Sequence, residues 1–161
     1  MSEWMSQPLE VPGNNRSDPL QTLGTYILVI RCLRRSCIPV GVLGLMPLYR
    51  GWYLYAGSAF GPGGLGARLR RHLQTDKTKH WHIDTLVAHC ALVDIWYRCA
   101  SRDLEHIWAQ TLVSHQDTVI PLAGFGASDC RCSSPLVWLR SRKEVNGIRR
   151  IFGAELSISI H

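Results

Sequence analysis

The sequence predicts an α+β fold, and two of its features carry that expectation. Short β-prone runs alternate along the chain with segments whose apolar residues recur at helical spacing. No internal repeat interrupts the series, and an apolar content of 46% over 161 residues suits one compact domain with a real core.

Residues 1–21 mix Ser, Pro, Asn, Gln and Gly without period, which predicts a flexible leader. Order is expected from Gly24, within a predicted domain at residues 22–140. Tyr26-Ile27-Leu28-Val29-Ile30 is a continuous β-prone run, suited to a strand buried on both faces. Arg34, Arg35 and Ser36 read as a polar turn, and Ile38 to Leu43 as a renewed extended stretch. Trp52 to Tyr55 predicts the next strand, bounded by Gly51 and Gly57. The glycine-rich loop from Gly61 to Gly66 then opens into a helix. Leu65, Leu69 and Leu73 mark its apolar face, and Arg68 and His72, four apart, project together beside that stripe. Ala91 to Tyr97 returns to strand character. Ser101 can cap the helix after it, with Leu104, Ile107, Trp108 and Leu112 as its expected buried face. Pro121 to Ser128 breaks regularity. Leu136 to Leu139 predicts a last short strand, and residues 141–161 a basic helix and tail.

Eighteen Lys and Arg against twelve Asp and Glu give a net charge of +6, which favours a polyanionic partner or simply aids solubility. Cysteines 32, 37, 90, 99, 130 and 132 follow an N-terminus without the basic start and apolar run of a signal peptide. Free thiols in the cytoplasm are therefore expected. No run approaches the ~18 apolar residues of a membrane span.

Gly24-Thr25-Tyr26, followed by Tyr55-Ala56-Gly57, resembles the signature triplets of the GIY-YIG nucleases, with Thr and Ala at the two middle positions. Residues further along the chain extend the likeness in matching order. Arg68 and His72 resemble that family's arginine helix, and Glu105 stands where its metal-binding glutamate would. His80-Trp81-His82-Ile83-Asp84 and Ser128-Asp129-Cys130-Arg131-Cys132 resemble a poorly characterised branch of the superfamily. The likeness spans roughly Gly24 to Leu139. It implies a small, mainly antiparallel central sheet flanked by helices, and a metal-dependent endonuclease acting on DNA, single strands included. The alternative is a catalytically inactive nucleic-acid-binding module of the same fold.

On that resemblance Tyr26, Tyr55, Arg68, His72 and Glu105 form the catalytic set, with Glu105 the ligand of Mg²⁺ or Mn²⁺. Phosphodiester hydrolysis needs an activated water, charge neutralisation at phosphate and help for the departing oxygen. A carboxylate-held divalent ion serves the last need, and paired guanidinium donors from Arg68 the second. A free phenol with a pKa of ~10 is a poor base, so His72 is expected to share that role with Tyr26. Each residue alone also fits a plainer job: core tyrosines, a solvated basic face, or a Glu complementing a helix dipole. Phosphate contacts are expected from Arg70, Arg71, Lys77 and Lys79, aided by the basic tail.

Gly61 to Gly66 also satisfies G-x-G-x-x-G, but a dinucleotide site needs an acidic residue ending the next parallel strand ~20 residues on. Asp84 precedes the next apolar stretch and Asp94 interrupts a later one. His80, His82, Cys130 and Cys132 can hold a structural Zn²⁺ if both segments are extended. Otherwise the histidines and Asp84 form a hydrogen-bonded brace while the thiols are buried, with Asp129 a further structural candidate. Where the branch reads Ser-His-Leu, this chain has Ser134-Pro135-Leu136.

Overall fold

The computed structural model describes residues 22–74, 81–99, 103–126, 135–153 and the backbone of 156–159. Its central strand β1 (Gly24–Cys32) is buried along nearly its whole length, as the unbroken apolar run predicts. It is flanked by β4 (Gly51–Ala59) and β5 (Ala91–Cys99), both antiparallel to it. With β6 (Leu136–Leu139) beyond β4 and β7 (Leu156–Ser159) beyond β5, the order is β6-β4-β1-β5-β7. Every pairing in this sheet is antiparallel. A small hairpin, β2 (Ser36–Pro39) with β3 (Leu45–Leu48), stands apart from it.

Among the described residues four helices cover the two faces: α1 (Gly64–Leu73), α2 (His82–His89), α3 (Asp103–Ser114) and α4 (Arg142–Phe152). Side chains alternate across β1, so Tyr26, Leu28 and Ile30 enter one core with Leu65, Leu69, Leu86 and Phe125. Ile27 and Val29 enter the other, with Trp96, Trp108, Leu112, Ile148 and Phe152. The fold is α+β, as the sequence predicts.

Several elements differ from expectation. The stretch from Ile38 to Leu43 is broken into β2 and a 3-10 turn at Gly41–Leu43, where Gly41 takes a positive φ of 49°. Gly57 lies inside β4 rather than ending it. On α3 the buried residues are Trp108, Ala109 and Leu112, while Ile107 is 57% exposed. At 100° per residue, Ile107 falls nearly opposite the centre of the 108–112 stripe. Helix α2 has no counterpart among the expected elements, because its short His-Ile-Asp-Thr-Leu-Val-Ala-His run carries little periodicity.

The C-terminal helix is part of the domain rather than an appendage. Ser141 caps α4 and accepts from the Glu144 N–H at 3.3 Å, while the Glu144 carboxylate accepts from the Ser141 N–H at 3.1 Å. Val145, Ile148 and Phe152 are buried, and the Phe152 ring meets Trp108 edge-on at 5.0 Å. Among the described residues no helix is long and apolar enough to cross a membrane. The predicted leader at 1–21 lies outside the described residues, as does Ser101.

Candidate functional site

The register of β1 against β4 builds the first half of the site. Tyr26 lies directly opposite Gly57, and Leu28 opposite Tyr55. The two tyrosines are therefore diagonal neighbours on one face. A Cβ on Gly57 would meet the Tyr26 hydroxyl at 2.5 Å and the ring at 2.6 Å. Only glycine leaves room for the Tyr26 ring there, and this joins the two sequence triplets physically.

Helix α1 brings the next two residues. Its buried stripe is Leu65, Leu69 and His72, so His72 belongs to the packed face instead of standing beside it. There the His72 Nε2 lies 2.7 Å from the Tyr26 hydroxyl, and both side chains are 2% exposed. Arg68, one turn earlier, is half-exposed on the helix flank. It borders a hollow of about 160 Å³ lined also by Ala59, Gly61, Pro62, Gly64, Ala67 and Arg71. The turn into α1 uses positive φ at Gly63 (84°) and Gly64 (60°), a conformation side chains resist. The first turn of α1 has no acidic residue, so the positive end of its dipole is left unneutralised at the hollow.

Glu105 comes from the other layer. It precedes Ala109 and Leu112 on the sheet-facing stripe of α3 and is half-buried. Its charge reaches Tyr26. The Tyr26 phenol is pushed well above its ordinary value by burial first, then by Tyr55; Glu105 also raises it, while Arg68 and Arg71 pull it down. Of the five side chains named from the sequence, Tyr55, Arg68, His72 and Glu105 thus all act on the Tyr26 phenol, by contact or by charge.

Arg71, also at the hollow, is held by a carboxylate. Its guanidinium donates to both oxygens of Asp84, at 3.0 and 2.9 Å, and Asp84 is fully buried. The Trp81 backbone N–H donates to the same carboxylate at 2.9 Å, fixing the start of α2. The Trp81 ring carries both guanidiniums, Arg71 at 3.9 Å and Arg68 at 4.3 Å from its centroid. This Trp81–Asp84 clamp is the functional feature that sequence reasoning missed; the Asp three residues into α2 was its one available signal. Asp84 braces Arg71, and His80 lies outside the described residues. His82 begins α2 rather than lying extended, and its Nδ1 accepts the Gly126 N–H at 3.0 Å.

Arg70 is exposed on α1, free of the clamp's geometry. Lys77, Lys79, His80, Asp129, Cys130 and Cys132 lie outside the described residues. Cys32, Cys37, Cys90 and Cys99 are free thiols. Among the described residues no three His, Cys, Asp or Glu side chains gather as metal ligands. Among the described residues Glu105 is the carboxylate whose charge reaches Tyr26, and one carboxylate with several waters could hold Mg²⁺ or Mn²⁺.

Burial also raises the Tyr53 phenol, whose oxygen accepts the Tyr49 N–H at 2.9 Å. Both raised tyrosines stay protonated in the fold after their unfolded counterparts begin to ionise near pH ~10. The folded state then binds more protons, so stability is intact below that pH and falls as pH rises beyond it. Urea unfolding from pH 8 to 11.5 is expected to show this decline, and Tyr26→Phe or Tyr53→Phe should flatten it. An equal slope in wild type and both variants would contradict the assignment.

No curated protein and no solved structure matches the chain. The family model described as a domain of unknown function, DUF123, matches residues 25–155, a span that runs from the start of β1 beyond the end of α4. The chain belongs to the DUF123 family.

Proposed function

We propose that the protein is a metal-dependent endonuclease that hydrolyses phosphodiester bonds in DNA, single strands included. The observation that carries this reading is the buried 2.7 Å contact between Tyr26 and His72, set among Tyr55, Arg68 and Glu105. A raised phenol pKa makes a free tyrosinate an unsuitable base at neutral pH. The geometry suits a relay instead. With its proton on Nδ1, His72 accepts the Tyr26 proton at Nε2 as the Tyr26 oxygen takes one from the attacking water. The new hydroxide bonds to phosphorus, the bond to the leaving oxygen breaks, and that oxygen takes a proton from solvent. Arg68 holds the phosphate with paired N–H donors, its plane steadied on Trp81. Tyr55 orients the water from the adjacent strand. Mg²⁺ or Mn²⁺ at Glu105 would supply charge stabilisation for the departing oxygen.

A second reading, a non-catalytic nucleic-acid-binding module, is favoured by Pro135. Its carbonyl accepts the Ala56 N–H at 3.0 Å, and a Cβ on Gly126 would meet both its ring and that of Tyr55. The position therefore abuts Tyr55, and it carries no imidazole. Cleavage of labelled single- and double-stranded DNA with Mg²⁺ or Mn²⁺ separates the two. Metal-dependent cutting that falls at least a hundredfold in Glu105→Ala is the expected result. DNA binding without cutting in either metal would establish the module instead.

A further inference from the structure

The sheet order places three strand ends together, far from Tyr26. The end of β1 meets the start of β4 through the Cys32–Gly51 pairing, and β6 closes beside it through Trp52–Leu139. The segments leaving this corner carry Arg31, Arg34, Arg35, Arg50, Arg140 and Arg142, all of them exposed or half-exposed. Their one acidic residue, Glu144, spends its carboxylate on the N–H groups of Arg140 and Ser141. Among the described residues none of the six arginines is ion-paired with a carboxylate. Arg31 is five residues from Tyr26 along β1, about 16 Å at the rise of an extended strand. Its odd spacing also turns it to the opposite face.

These arginines are partly held in place. Trp52 carries Arg31 at 5.4 Å and Arg142 at 5.0 Å from its ring centroid, and Arg35 lies 5.8 Å from that of Tyr49. Tyr49 in turn meets Trp138 edge-on at 5.9 Å. Stacking on a ring restricts a long side chain before any ligand arrives, which lowers the ordering cost of binding. Guanidinium planes present paired donors that match phosphate oxygens. Unneutralised charge, fixed forks and an open surface together describe a site for a polyphosphate chain.

We infer that this corner is a second nucleic-acid-binding site, separate from the catalytic hollow, which grips the phosphate backbone of the same strand. The inference rests on the nucleic-acid reading of the Tyr26 site. It adds affinity and orientation without base preference, because the contacts go to phosphates.

The test uses the full chain and fluorescein-labelled 30-mers, single-stranded and duplex, with anisotropy measured across NaCl concentrations. Arg31→Gln/Arg35→Gln/Arg142→Gln should raise Kd at least tenfold at low salt and reduce the salt slope by about two to three, near 0.7–0.9 per lost contact. Hydrolysis of bis(p-nitrophenyl) phosphate with Mn²⁺, a single diester too small to span both sites, should stay at the wild-type rate. If the triple variant misfolds by circular dichroism, Arg34→Gln/Arg50→Gln, which leaves the ring stacks intact, replaces it with the same expected loss of affinity. Wild-type affinity in the folded variant overturns the inference. So does a wild type that binds vesicles of anionic phospholipid but neither oligonucleotide. A wild type that binds DNA through this corner yet hydrolyses no diester retires the nuclease and leaves the site standing.

Discussion

Asp84→Ala is expected to cost about 3–5 kcal/mol of folding stability, read as a lowered urea midpoint at neutral pH. Removing one partner of a buried ion pair strands the other, and that penalty exceeds the net worth of the pair. Here the loss is threefold. Arg71 loses both carboxylate contacts, the Trp81 N–H loses its acceptor, and the first turn of α2 loses a favourable charge. Against a typical total of ~5–15 kcal/mol, such a loss leaves a marginal fold. Arg71→Leu combined with Asp84→Leu should recover much of it, since no uncompensated charge remains buried. A loss below about 1 kcal/mol for Asp84→Ala would show that solvent reaches the carboxylate and that the clamp is ornamental.

The second large effect is on turnover. Tyr26→Phe is expected to lower DNA cleavage by about 10²–10⁴-fold, the range that a positioned proton-transfer group contributes. Its structural cost should be small, because the ring that fills the space over Gly57 is kept and one hydrogen bond, ~1 kcal/mol net, is lost. That contrast is what makes the variant useful. A merely structural tyrosine would leave the rate within a few-fold of wild type at temperatures where the fold holds. His72→Ala should fall as far as Tyr26→Phe, and the double variant little further, because residues acting as one relay are not additive.

The central strand, the glycine loop, α1 and the residue types gathered around Tyr26 were legible in the sequence because each follows from local rules. An unbroken apolar run and a repeat at four leave marks a reader can count. What escaped depends on distant partners. Arg71 looks like its neighbours Arg68 and Arg70, and only the tertiary placement of Asp84 and Trp81 removes it from the surface. Helix α2 owes its existence to Ile83 and Leu86 entering the core rather than to any strong period. The helix at 142–152 reads as a basic tail because its charged face dominates, yet Val145, Ile148 and Phe152 bind it to the sheet.

Glu105 and the Arg68–His72 pair ride on helices that rest on opposite sides of one sheet, so the two halves of the candidate site have separate foundations. Softening one foundation should leave the other level. A cavity made by Leu112→Ala would let the carboxylate drift while the phenol and imidazole keep their spacing, whereas Leu69→Ala would loosen the imidazole and guanidinium and leave the carboxylate where it was. The sheet between them acts as the gauge block against which both are set. The spacing between the two halves is therefore inherited from β-sheet thickness, a dimension that side-chain substitution scarcely alters.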